Sequence, residues 1–136
     1  MFSCPGKQPL NLGVSDGTLA PCPDTPNCVS SDAKETKHQI SNYRLALAPD
    51  EAWQAVREAV LKLPGTKIVN ESDGYLHAEC RSTVFGFVDD LELHLRPAAG
   101  IIAIRSASRL GHSDFGVNRK RAEQLRLKLT EQGVLK

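Results

Sequence analysis

The stretch Glu71-Ser72-Asp73-Gly74-Tyr75-Leu76-His77-Ala78-Glu79-Cys80-Arg81 decides the fold. Its Asp73-Gly74 pair is a strong signal for a tight hairpin turn, because the central residues of such turns take a left-handed backbone that Asp and Gly tolerate. Residues 67–71 and 75–81 therefore read as two antiparallel strands. After the turn the side chains alternate, with Leu76, Ala78 and Cys80 on one face and Tyr75, His77, Glu79 and Arg81 on the other. Residues 87–96 repeat the pattern: Leu91, Leu93 and Leu95 continue the apolar face, while Asp90, Glu92, His94 and Arg96 continue the charged one. Pro97-Ala98-Ala99-Gly100 turns the chain back into residues 101–106, a second hairpin. If Arg96 pairs with Ile101, Glu92 falls opposite Arg105, a cross-strand ion pair.

Outward from this sheet, two helices supply what the apolar face needs. Residues 38–47, with Ile40, Tyr43, Leu45 and Leu47, read as extended, and Pro49 stops that strand where a helix can begin. Asp50 and Glu51 suit the positive end of a helix dipole. Trp53, Val56, Val60 and Leu63 step by three, four and three, one face of an α-helix that Pro64-Gly65 ends. At the other end Ser113 or Asp114 can cap a helix whose stripe is Asn118, Ala122, Leu125 and Leu129, closed by Gly133. Asn118 shares a stripe with apolar residues and is expected to be buried and hydrogen-bonded.

The order strand, helix, four strands, helix is that of TATA-box-binding-protein-like and helix-grip folds. It implies an α+β two-layer sandwich, an antiparallel sheet of about five strands with both helices on one face. The charged face is then expected to look onto water. Residues 1–37 hold five of the eight prolines and little apolar periodicity, an irregular arm packed on or flanking a domain of residues 38–136.

Composition narrows the function. The chain has 136 residues, 40% hydrophobic and 24% charged, with a net charge of +1, an ordinary mixture for one domain. The near-zero charge lacks the footprint of nucleic-acid binding, and no stretch approaches the ~20 apolar residues of a membrane-spanning helix. Cys4, Cys22, Cys28 and Cys80 match no zinc pattern with short paired knuckles, and no cofactor motif is present. In Cys22-Pro23-Asp24-Thr25-Pro26-Asn27-Cys28 the prolines stiffen a turn that can bring the two sulfurs together; spacing alone leaves a disulfide and two reduced thiols equally open.

Three segments carry a family resemblance. Residues 21–31, beginning Pro21-Cys22-Pro23-Asp24, then Phe85-Gly86-Phe87-Val88-Asp89-Asp90-Leu91-Glu92, then residues 105–119 with Ser113-Asp114-Phe115-Gly116, resemble the bacterial and plastid family known as domain of unknown function 1499. The resemblance carries over no catalytic residue. It does imply a location, since many members look like exported proteins or lipoproteins with a cysteine shortly ahead of Asn-Leu-Gly, here Asn11-Leu12-Gly13. Cys4 stands in that place as a lipid-anchor candidate; a native start at Met1 would instead imply the cytoplasm. Export in turn implies the Cys22–Cys28 disulfide.

Arg105, Ser106, Ser108, Arg109, Ser113, Asp114, Asn118 and Arg119 form the densest polar group, spanning a strand end, a loop and a helix start. Free helix N–H groups and guanidinium forks suit a small anion. A purely structural role competes with that reading: Asp114 caps the helix, and Asp89 pairs with Arg109 or Arg119. Ser106, Ser108, Ser113, His112 and Asp114 also invite comparison with a serine hydrolase, but neighbours in one loop seldom adopt triad geometry, and no Gly-x-Ser-x-Gly elbow is present. Asp89, Asp90, Glu92 and His94 read as solvated or paired rather than metal-binding, and His38, His77, His94 and His112 as surface histidines. The leading expectation is a noncatalytic binding or interaction domain of the cell envelope, acting on a small anion, a lipid headgroup or a partner protein. A hydrolase using residues 106–114 is the alternative. A third reading is an assembly protein presenting the charged sheet face to a partner.

Overall fold

The computed structural model describes residues 6–82, 86–111 and 113–136. Cys4 and His112 lie outside the described residues, as does Phe85 of the second family segment. The chain runs β1 (Val14–Ser15), β2 (Thr18–Leu19), β3 (Cys28–Ser30), β4 (Tyr43–Arg44), α1 (Pro49–Leu61), β5 (Thr66–Ser72), β6 (Tyr75–Arg81), β7 (Val88–Arg96), β8 (Ile101–Ser108) and α2 (Val117–Glu131). β5 to β8 form an antiparallel meander, and β3 and β4 both pair with β8, giving a sheet of six strands; β1 and β2 make a separate two-stranded ribbon. The expected α+β sandwich is present. The expected strand over residues 38–47 is regular only at Tyr43–Arg44, and its place beside the upper part of β8 goes to β3 from the N-terminal arm.

Both hairpins have the register read from the turns, with Ser72 opposite Tyr75 and Arg96 opposite Ile101. Glycine is required at Gly65, which opens β5 with φ +65° and lies so close to Arg81 that a β-carbon would sit 2.4 Å from the Arg81 carbonyl oxygen. β5 carries a register shift between Ile68 and Asn70. One face of the sheet packs on α1 and α2: Leu76, Ala78, Cys80, Leu91, Leu93, Ile102 and Ile104 join Val56, Val60, Ala122, Leu125 and Leu129 in one core. Tyr43 is fully buried there, and its hydroxyl donates to the Ala122 carbonyl at 2.6 Å. α2 starts at Val117, later than Ser113 or Asp114, because Gly116 takes a left-handed φ of +78° just before it.

The charged face does not look onto water. Tyr75, His77, Asp90 and Glu92 are 8%, 2%, 1% and 0% exposed. The arm crosses this face: Leu19 packs against Tyr75 and Ala103, the Gly13 amide donates to Glu92 Oε2 at 2.7 Å, and Arg105 donates to the Ala20 and Pro21 carbonyls. Towards the ends of β6 and β7, Glu79, Arg81, His94 and Arg96 remain exposed or half-buried. Alternation thus reads which way a side chain points, and whether that side is wet depends on segments far away in sequence. His38 and His77, expected at the surface, are both buried.

The arm is tied at two further points. Asp32 accepts the Leu19 amide and a two-bond fork from Arg96, and Cys22 and Cys28 are joined with Cα atoms 5.7 Å apart. Closing so short a loop removes about 2 kcal/mol of unfolded-state freedom. Denatured without reductant, the purified chain is expected to expose two alkylatable thiols rather than four by intact mass. Four would mean that the arm is held by packing and hydrogen bonds alone.

Candidate functional site

β8 is the element that positions the polar residues, and its pleat divides them. Ser106 and Ser108 follow Ile102 and Ile104 toward the helices. Arg105 and Arg109 point the other way, toward the arm. The group that is continuous in sequence is therefore two networks on opposite faces of one sheet.

On the helix face Asn118 is the hub. It is fully buried; its Oδ1 accepts from Ser106 Oγ at 2.7 Å and from Arg121 Nη1 at 2.8 Å. Its amide nitrogen donates to Ser108 Oγ, the Asp114 carboxylate and the Asn27 carbonyl. Asp114 also takes the backbone amides of Gly116 and Asn118, so the helix N-terminus already holds a carboxylate of its own chain. Burial pushes the Asp114 carboxyl up, and the Asn118 and Gly116 bonds outweigh it, so its pKa is lowered. Ser113 Oγ accepts the Phe115 amide. Asp89 pairs with Arg121 at 2.8 Å, not with Arg109 or Arg119 as expected. Arg119 instead donates to the carbonyls of Lys37 and Gln39. Arg121 and Asn27 escaped the sequence reading; the one available signal for Arg121 was its position one turn after Asn118 on the same helix face.

On the arm face two buried carboxylates sit on β7. Glu92 accepts from Tyr75 Oη at 2.6 Å, from the Gly13 amide, and from Arg105 at 3.4 Å. Asp90 accepts from His77 Nε2 at 2.6 Å and a fork from Arg109 at 2.8 and 2.9 Å. Arg109 Nη2 also reaches Glu79. Burial pushes the Asp90 carboxyl up, but the Arg109 and His77 bonds outweigh it and hold its pKa below the usual range. Burial raises Tyr75, and the Glu92 carboxylate raises it further, so the phenol stays protonated and donates.

Arg105, Ser108, Arg109 and Asp90 line one wall of a cleft of about 390 Å³ whose other wall is the arm segment Pro21-Cys22-Pro23. Ser113, Asp114 and Arg119 border a separate hollow of about 120 Å³ with Lys37 and Val29. Ser106 and Asn118 line neither of these two. Among the described residues Ser106, Ser108 and Asp114 all bond Asn118, and Ser113 caps the Phe115 amide; His112, the base of the hydrolase reading, lies outside the described residues.

The family model described as "Protein of unknown function (DUF1499)" matches residues 18–129. No curated protein and no solved structure matches the chain.

Two outcomes follow from these networks. Asn118→Leu adds apolar surface but strands Ser106, Ser108, Asp114 and the Asn27 carbonyl, and it is expected to lose about 3 kcal/mol in urea unfolding. Asp90 has a depressed folded pKa, so its stabilisation is complete above the free aspartate value of about 3.9 and is lost as pH falls through the folded value. Unfolding followed from pH 6 to 2 should show an acid loss whose slope is reduced in Asp90→Asn, whatever that variant's starting stability.

Proposed function

The chain belongs to the DUF1499 family, and from that premise we propose that it is a noncatalytic binding domain of the cell envelope whose ligand lies in the cleft beneath the N-terminal arm. The observation that carries this reading is the cleft itself: it joins Arg105 and Arg109, two of the polar residues singled out in the sequence, to an arm segment pinned by Cys22–Cys28. A disulfide of this kind persists in oxidising compartments and supports export.

The arginines set the chemistry of the ligand. Arg109 spends Nε and Nη2 on Asp90 and Glu79, and its Nη1 is the edge of the fork engaged in none of these bonds. Around the cleft the carboxylates of Asp90, Glu92 and Glu79 outnumber Arg105 and Arg109, so a highly charged anion meets repulsion. The ligand that fits is small and presents one anionic oxygen, a carboxylate or the single negative charge of a phosphodiester headgroup.

Acetate and dimethyl phosphate test this directly, each carrying one charge. Both are expected to raise the melting temperature above that in chloride at matched ionic strength, since binding the native state alone stabilises it. Arg109→Lys keeps the charge beside Asp90, loses the fork and should abolish the difference. Equal melting temperatures in all three salts, or a difference that survives in Arg109→Lys, would show that the cluster only holds the arm.

A further inference from the structure

The arm carries a second constellation, distinct from the cleft. Glu35 and His38 are brought together by a turn in which the His38 amide donates to the Glu35 carbonyl at 3.0 Å. The His38 carbonyl accepts the Ser30 amide at 2.8 Å, which docks the turn against β3. Asp24 comes from the loop closed by Cys22 and Cys28. A ring nitrogen of His38 and carboxylate oxygens of Asp24 and Glu35 all lie within 4.8 Å of one another.

The ring identifies which nitrogen is available. His38 Nδ1 lies 2.9 Å from the Cys28 carbonyl, and a carbonyl only accepts, so Nδ1 carries the proton and Nε2 of the neutral ring keeps its lone pair. His38 is fully buried, and Nε2 is the buried side-chain polar atom without a hydrogen-bond partner among the described residues. A buried acceptor without a donor is unfavourable. A histidine fixed through Nδ1 to a backbone carbonyl, with Nε2 free, has the orientation of a metal ligand with its outer-shell partner in place.

We propose that Asp24, Glu35 and His38 form a binding site for a divalent cation of the zinc class. One imidazole nitrogen and two carboxylate oxygens make a three-ligand set that leaves a fourth position for water. Metal–ligand bonds of about 2.0 Å place tetrahedral ligands roughly 3.3 Å apart, so the group must close by about 1.5 Å at its widest. The buried histidine is fixed, and the two carboxylates are exposed and can move. Lys37 now occupies Asp24 through an exposed ion pair, and the cation replaces its ammonium there. The disulfide belongs to the site twice over, carrying Asp24 in its loop and supplying the carbonyl that orients His38.

The test uses the full chain, oxidised, treated with a thiol-alkylating reagent under native conditions and freed of metal by chelation. Zinc titrated by calorimetry is expected to bind with one equivalent, and cobalt to give the visible absorption of a tetrahedral site that zinc abolishes. Asp24→Asn and Glu35→Gln, both exposed, should each weaken zinc binding at least tenfold, and Lys37→Gln should strengthen it. The His38 Nε2 nitrogen resonance should shift on zinc addition while Nδ1 stays protonated. Absence of one-equivalent binding, or binding unchanged in both carboxylate variants, would overturn the proposal; in either case the Nε2 lone pair would be left to water.

Discussion

Glu92 sits in the middle of a central strand with its carboxylate fully buried. A carboxylate leaves water at acceptable cost only when it is paired and its lone pairs are filled. Tyr75, Arg105 and the Gly13 amide do this together, and the Gly13 amide belongs to the arm. Arg105 is in turn completed by the Ala20 and Pro21 carbonyls. The sheet and the arm therefore need one another: without the arm, the charged face lacks partners that the sheet alone does not contain. The cleft beneath the arm and the position of the disulfide both follow from this requirement.

How far the structure could be read in advance depended on the range of the interactions involved. The hairpins at Asp73-Gly74 and residues 97–100 are local, and their register came out as the turns dictated. The α1 stripe and the buried Asn118 were visible because a helix repeats every few residues. The covering of Tyr75 and Glu92 was not visible, since Leu19 and Gly13, which meet them, come from the opposite end of the chain. The polar group at 105–119 was misread in one respect. Its density along the sequence suggested one site, while the two-residue period of β8 sends Arg105 and Arg109 to one face and Ser106 and Ser108 to the other.

The two networks differ in what they leave for chemistry. The helix-face network is closed: Asn118, Asp114, Asp89 and Arg121 satisfy one another, and the helix dipole is answered by the chain's own Asp114. On the arm face Asp90 and Glu92 are also satisfied, yet the network borders a cleft and keeps one edge of the Arg109 fork. A closed network makes a rigid wall, and a rigid wall is what lets such a cleft hold a fixed shape.

The pairing of the arm with the last strand also constrains the order in which the molecule can assemble. Asn118 donates to the Asn27 carbonyl across 91 residues of chain, and β3 finds its strand partner on β8. As the polypeptide emerges from its N-terminal end, the arm has nowhere to dock until nearly all of it has been made. Cys22 and Cys28, only six residues apart, need no such wait. The loop can close while the sheet is still absent, and β3 then arrives with its entry already bent to shape, which reduces the chain entropy to be lost in the slow, long-range step.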